Sequence, residues 1–444
     1  MTLRRKFYDT LLNWKKSHLP EGLLVKGARQ IGKTFTIDSF GRENYHSYLY
    51  VNFVTNPEYR KIFAESLEAV DLYRKLSATF ANFRITPGDT LIFLDEIQNC
   101  PRARTAFKPL AIDGKIDVIA SGSLLGLSFL DDDAKLNTER RESSIPVGYE
   151  RQLTMYSLDF EEFLWAIGYR PEVIDETLRK PFAALKPVPE VTNRRFLQLF
   201  RDYIVIGGMP EVVATYLESN NYNVAFDVQQ RILSANLDDI ARYAPTSEKP
   251  KIRACYLSIP NQLARENKKF KYAAVVEHGR SRMFYASIDW LRESALVFQC
   301  PNVETPDTPL SVYKKEDCFK LYASDIGILV SMVGFPAVKA ILDNTIKGFA
   351  KGGIYENAIM SLLVRRGYSP YYFHPKSNLS EIDFLIEGDN GVIPVEVKSG
   401  NDSSASFDRF LERPETRIGY KFVNGNFGKI GKKVTLPHYM AMFV

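Results

Sequence analysis

The stretch "GLLVKGARQIGKTFTIDSF", residues 22–40, decides how the first part of the chain is read. Leu23 to Val25 form a short apolar strand, and Gly27, Gly32, Lys33 and Thr34 then satisfy the spacing G-x-x-x-x-G-K-[ST]. Glycines at those places let backbone N–H groups turn inward around a polyphosphate, and the helix that follows adds its positive N-terminal end. The loop Gly27, Ala28, Arg29, Gln30, Ile31, Gly32 is thus expected to cradle phosphates. Lys33 would reach the outer phosphates and the Thr34 hydroxyl would ligate Mg²⁺.

Three apolar runs downstream extend the pattern: "YLYVNF" (48–53), "LIFLDE" (91–96) and "IDVIASGS" (116–123). They are separated by helix-like segments, an alternation that predicts an α/β domain with a parallel sheet. In such sheets the ligand lies at the carboxyl ends of the strands. Asp95 and Glu96 end one run: Asp95 is placed to hold Mg²⁺ through water and Glu96 to polarise an attacking water. The alternative for both is an ordinary helix cap. Ser121 and Ser123 end the next run and are candidate sensors of the terminal phosphate.

Composition bounds the rest. The 444 residues are 45% hydrophobic and 25% charged, with a net charge of +5, which suits a folded multidomain chain and permits a nucleic-acid partner without demanding one. Four cysteines lie far apart with no CxxC pair, so neither a zinc site nor a disulfide framework is expected, and a reducing cytoplasm is the simplest setting. No stretch has the length of a transmembrane helix, and the N-terminal segment reads as an amphipathic helix with Phe7, Leu11, Leu12 and Trp14 on one face. That face is expected to pack on the following domain; contact with a membrane through the basic flank is the alternative.

"GARQIGKT", "LIFLDEIQ" and "ASGSLLG", in this order, resemble the AAA+ class of P-loop ATPases. More narrowly they resemble the prokaryotic AAA+ ATPases with a C-terminal domain of uncharacterised function, and "YSLDFEEFLWAIG" (156–168) and "GGMPEVV" (207–213) are similar to that family too. The resemblance implies ATP and Mg²⁺ as ligands and a homo-oligomer completed by an arginine finger. Arg140, Arg141 and Arg151 are the candidates for that finger, and none sits in the Gly-Arg pair that relatives show.

The middle reads as helices. "FLQLFRDYIVIGGMPEVVATYL" is broken at Gly207-Gly208, either a structural turn or a hinge. Beyond residue 250, two helix-like segments precede two strand-like ones, "ALVFQCP" (295–301) and "CFKLYASD" (318–325), the outline of a winged helix. Lys268, Lys269, Lys271, Arg280 and Arg282 cluster there, interleaved with Tyr272 and Phe284. The cluster is a candidate for contacting DNA phosphates; a solvated basic face is the alternative.

The last hundred residues bring a second constellation. "EIDFLIE" (381–387) and "VIPVEVK" (392–398) alternate with period two around "GDNG", a hairpin signal. A turn centred between Asp389 and Asn390 sets Asp383 opposite Glu396 and Glu381 opposite Lys398, with Ile382, Phe384 and Ile386 facing Val397, Val395 and Ile393. Opposed like charges are destabilising, so Asp383 and Glu396 need a cation or a raised pKa. The arrangement resembles the PD-(D/E)xK restriction-endonuclease-like superfamily. That likeness implies Asp383 and Glu396 as metal ligands, Lys398 as the group that activates water or steadies the transition state, and Glu356 as a fourth member. A retained fold whose charges form only a surface network is the alternative.

The expected organisation is therefore an ATPase domain over 1–165, a helical lid or linker over 166–248, a winged-helix-like domain over 249–345 and a nuclease-like domain over 346–444. ATP hydrolysis coupled to DNA binding or processing is the expected activity. A non-cutting ATP-dependent switch that binds nucleic acid or protein, and an ATPase acting on proteins, are the alternatives.

Overall fold

The computed structural model describes residues 2–123, 146–375, 381–400 and 404–444. Two compact units emerge: residues 2–157 with 293–295, and residues 158–292 with 296–444.

In the first unit the apolar runs become β1 (Gly22–Gly27), β2 (Ser47–Asn52), β3 (Thr90–Asp95) and β4 (Asp117–Ser123), joined by β5 (Glu150–Thr154). They pair in the order β2-β3-β4-β1-β5, and every pairing is parallel. All six residues of β3 are buried, which explains why that run is continuously apolar rather than alternating. Leu24, Val51, Ile92 and Leu94 pack with Leu72, Leu76, Phe107 and Leu110 from the flanking helices. Truncating one such leucine to alanine costs about 2–5 kcal/mol. The N-terminal helix Lys6–Ser17 buries Leu11 and Trp14, and Tyr8 sets its ring edge-on to Phe40 at 5.7 Å. The amphipathic face is thus a packing face.

The second unit begins with helix Phe160–Ala166, fixed by a capping box in which Asp159 accepts from the Glu162 N–H (2.8 Å) and Glu162 from the Asp159 N–H (3.0 Å). The Gly207-Gly208 break is a pinned turn: Asp325 accepts from the Gly208 N–H (2.9 Å) and the Gly327 N–H (2.9 Å). Of the two readings left open for it, the structural turn is the one these bonds describe.

Among the described residues eight strands form the sheet of this unit: β6 (Val297–Val303), β7 (Lys314–Ala323), β8 (Tyr371–Phe373), β9 (Ile382–Gly388), β10 (Gly391–Val397), β11 (Gly419–Val423), β12 (Gly428–Ile430) and β13 (Lys433–Pro437). Their order is β12-β13-β11-β10-β9-β8-β6-β7. β9 and β10 form the expected hairpin, with Ile386 opposite Ile393 and Phe384 opposite Val395. One expectation is corrected. β6 and β7 do not stand apart as a wing, because β6 pairs in parallel with β8 and carries β7 into the C-terminal sheet. A boundary at 345 therefore cuts across a single sheet. Helix Gly348–Arg365 is clamped to the end of β7 by Asn357, which accepts from the Ala323 N–H (2.8 Å) and donates to the Ala323 carbonyl (2.9 Å). That clamp sets Glu356, one residue earlier, against the β7 side chains.

Candidate functional site

At the carboxyl end of β1 the phosphate loop runs into helix Lys33–Asn44. Gly32 has φ 89°, a conformation side chains disfavour, and a Cβ on Gly27 would stand 2.4 Å from the Met155 carbonyl oxygen. The loop therefore requires glycine at both motif positions. Ile31 is buried, anchoring the loop to the core. Arg5 braces it from outside: its guanidinium donates to the Ile31 carbonyl (2.8 Å) and the Tyr156 carbonyl (2.6 Å). The Lys33 ammonium folds back on the loop, donating to the carbonyls of Gly27 (3.0 Å) and Ala28 (2.7 Å). Burial pulls its pKa down to about 8, although Glu96 and Asp95 act in the opposite sense.

Asp95 is the hub of the site. It accepts from the hydroxyls of Thr34 (3.1 Å), Tyr50 (2.9 Å) and Ser121, from the Asn52 amide (3.1 Å) and from the Glu96 N–H (3.1 Å). A hydroxyl and a carboxylate side by side at the start of the helix are the donor set that a nucleotide-bound Mg²⁺ uses, so these residues fit that ion. Glu96 sits at φ 56° and accepts from the Gln98 amide. A left-handed glutamate costs roughly 1–2 kcal/mol, the kind of local strain found where a side chain must be aimed. The backbone of Ser123 lies beside Gly27 in the sheet register.

Sequence reasoning missed Arg5, Tyr50 and Asn52. For the last two a signal existed: Tyr48, Tyr50 and Asn52 alternate along β2, and Asn52 pairs in register with Asp95. Of the arginine-finger candidates, Arg140 and Arg141 lie outside the described residues. Arg151 is half-exposed on β5 and meets Glu21 at 3.5 Å.

The C-terminal constellation also comes together, with partners that sequence reasoning did not foresee. Glu356, Asp383, Glu396 and Lys398 line one cleft of about 700 Å³, together with Lys268, Glu381, Lys347 and Lys351. Lys398 pairs with Glu396 at 2.7 Å. Asp383 accepts from the Val397 N–H (2.8 Å) instead of continuing the ladder. Glu356 is ion-paired with Lys268 and accepts from the Tyr322 hydroxyl (3.2 Å). Lys320 on β7, 1% exposed, reaches Glu381 at 2.6 Å, Glu356 at 3.7 Å and Asp383 at 3.9 Å, and lies 5.0 Å from the centre of the Tyr372 ring.

The electrostatics follow from this packing. Burial, then the charges of Glu356 and Glu396, hold the Asp383 carboxyl well above its ordinary pKa. Glu396 is raised by burial despite Lys398. For Glu381, burial opposes ionisation but the Lys320 charge outweighs it, and the pKa falls. Burial likewise works against charge on Lys320, yet the surrounding acids raise it well above a free lysine.

These residues do not fit a divalent cation as arranged. Among the described residues no group of three or more His, Cys, Asp or Glu side chains is disposed to hold one. The cation among these carboxylates is an ammonium. Lys268 was expected among DNA-contacting residues; the structure turns it inward to Glu356, while Lys271, Arg280 and Arg282 are exposed and Lys269 is half-buried. Tyr272 stacks on the buried Phe284 at 5.6 Å and packs with Phe270 and Phe319, so the pair serves the core and not base stacking.

Comparison with known proteins agrees with the first of these sites. Residues 20–164 match the family model described as an AAA domain. Residues 197–339 and 351–434 match two domains of unknown function, DUF8612 and DUF4143. No curated protein matches the sequence. Among solved structures, the Walker-type ATPase PABY2304 of Pyrococcus abyssi is 14% identical, with 75% of this chain and 96% of that one covered and a TM-score of 0.43. The RuvB Holliday junction branch migration motor of Thermotoga maritima is 11% identical, with 68% and 90% covered and a TM-score of 0.27. No helix among the described residues is long and apolar enough to cross a membrane. The family match and the loop geometry together support an ATP-binding, AAA-type P-loop ATPase domain in residues 20–164.

Proposed function

We propose that this chain hydrolyses ATP in its first unit and uses the cycle to control how its second unit engages DNA. The observation that carries the proposal is the apposition of Thr34 and Asp95 at the mouth of a glycine-framed loop. The phosphates would take the loop N–H groups, and the Lys33 ammonium would leave the Gly27 and Ala28 carbonyls for phosphate oxygens. Mg²⁺, when bound, supplies positive charge against the oxygens on which negative charge builds. Thr34 and Asp95 would hold it, with Asp95 itself oriented by Tyr50, Asn52 and Ser121. Glu96 would accept a proton from the attacking water, and Ser123 would meet the terminal phosphate. A homo-oligomer completed by an arginine finger, with Arg140, Arg141 and Arg151 as its candidates, belongs to the same proposal.

DNA engagement is supported by the exposed Lys271, Arg280 and Arg282 and by the lysines that line the cleft. The test is duplex binding by fluorescence anisotropy with ATP, with ADP and without nucleotide. A nucleotide-dependent affinity that Lys271→Glu with Arg282→Glu weakens by about tenfold or more supports the proposal. Binding indifferent to nucleotide and to both substitutions rejects it.

One observation favours DNA cutting by the second unit: the Glu396 Oε2 atom is buried beside the cleft with no hydrogen-bond partner among the described residues. In that reading Glu356, Asp383, Glu396 and Lys398 would act on a phosphodiester. Incubation of wild type and Lys398→Ala with linear and branched DNA, in Mg²⁺ and in Mn²⁺, tests it. Cleavage undiminished by Lys398→Ala would exclude this site.

A further inference from the structure

We infer that Lys320 is the resident cation of the C-terminal carboxylate cluster, and that while its ammonium is there the cluster takes no divalent metal. Four carboxylates crowd this part of the cleft: Glu356, Glu381, Asp383 and Glu396. Bringing such groups together out of water requires a counter-charge within a few ångströms. Among the described residues three ammoniums meet these acids, each from a different segment: Lys268 on Glu356, Lys398 on Glu396 and Lys320 at the centre. Lys320 alone reaches three of the acids, lying 2.6 Å from Glu381, 3.7 Å from Glu356 and 3.9 Å from Asp383.

A hard divalent ion would have to gather oxygen ligands from these same carboxylates at 2.0–2.6 Å. An ammonium already within ion-pair distance of three of them repels that ion and occupies its ligands. Nor can Lys320 readily withdraw. It is 1% exposed, its strand is buried from Phe319 to Ala323, and its ammonium lies over the Tyr372 ring. The acids of the cluster are thus already met by ammoniums of this chain, with Lys320 at the centre. The inference rests on this geometry and not on the ATPase reading, and of the two readings of the second unit it favours DNA engagement over metal-dependent cutting.

The test is a Mn²⁺ titration of the full chain without nucleotide, following free Mn²⁺ by EPR. Wild type is expected to show no Mn²⁺ that Glu396→Gln removes. Lys320→Met is expected to gain about one Mn²⁺ per chain, and Lys320→Met with Glu396→Gln to lose it again. Thermal melts of each variant establish that it is folded. Wild type binding one Mn²⁺ that is lost in Glu396→Gln overturns the inference, and that comparison stands even if Lys320→Met does not fold. A folded Lys320→Met that gains no ion also overturns it, since Lys320 would not then be what keeps metal out. Failure of ATP-dependent DNA binding leaves this outcome unaffected, so the two proposals are separable.

Discussion

Mild acid is expected to destabilise the second unit through His438. This imidazole is fully buried, stacked parallel to Phe200 at 6.3 Å and packed on Tyr355 at 4.5 Å. Its Nε2 lies 3.0 Å from the Lys398 carbonyl, which assigns the proton to Nε2, and Nδ1 has no partner among the described residues. A second proton would be buried on Nδ1 without compensation, so burial pulls the pKa down to about 3. The sign follows from linkage. Folded His438 stays neutral below the unfolded value of about 6.5, so the unfolded chain binds the extra proton and stability falls as pH drops from there. At pH 5 the loss relative to pH 7.5 is about 2 kcal/mol, a figure set almost wholly by the unfolded pKa. Trp165 and Trp290 lie in the second unit and Trp14 in the first, so Trp14→Phe makes fluorescence report the second unit alone. Urea unfolding of that variant at both pH values, with and without His438→Gln, gives the His438 contribution by difference. A His438→Gln stability difference that is the same at pH 7.5 and pH 5 would refute the reasoning.

Three further outcomes follow from named contacts. Glu96→Gln should keep ATP affinity and slow single-turnover hydrolysis about 10²–10⁴-fold, because the variant cannot take the proton of the attacking water; unchanged turnover removes Glu96 from that role. Arg5→Ala should weaken ATP binding about tenfold by releasing the Ile31 and Tyr156 carbonyls, read by titration with a fluorescent nucleotide; wild-type affinity would mean that the loop holds its shape unaided. Arg104→Met should cost the first unit about 3–5 kcal/mol in urea unfolding followed by Trp14 in a Trp165→Phe, Trp290→Phe background, because it removes the guanidinium that grips the buried Glu150 carboxylate at 2.6 and 2.8 Å. A loss below about 1 kcal/mol would class the pair with solvent-screened bridges.

Local patterns carried much of this fold. The strand–loop–helix around Gly27 to Thr34 and the three apolar runs were legible because spacing and period are local properties. The β9–β10 register was legible because a two-residue turn fixes it. Pairing between distant segments was not. Nothing in "ALVFQCP" or "CFKLYASD" says that β6 will seek β8 some seventy residues later, so the two strands read as a separate wing. The same gap hid Lys320 and Lys268 from the carboxylate cluster: Lys268 meets Glu356 across 88 residues of sequence. Lys320 did leave a trace, as a lysine inside an apolar strand, which asks for a buried acid without naming it. Arg5 left none, since a basic residue before an amphipathic helix is ordinary.

The most direct test of the central claim is Mg²⁺-dependent phosphate release from ATP by wild type and by Lys33→Ala, with circular dichroism establishing that both are folded. The account predicts turnover in wild type and none above background in Lys33→Ala, because the ammonium that would meet the phosphates is gone. Equal rates in the two proteins would contradict it.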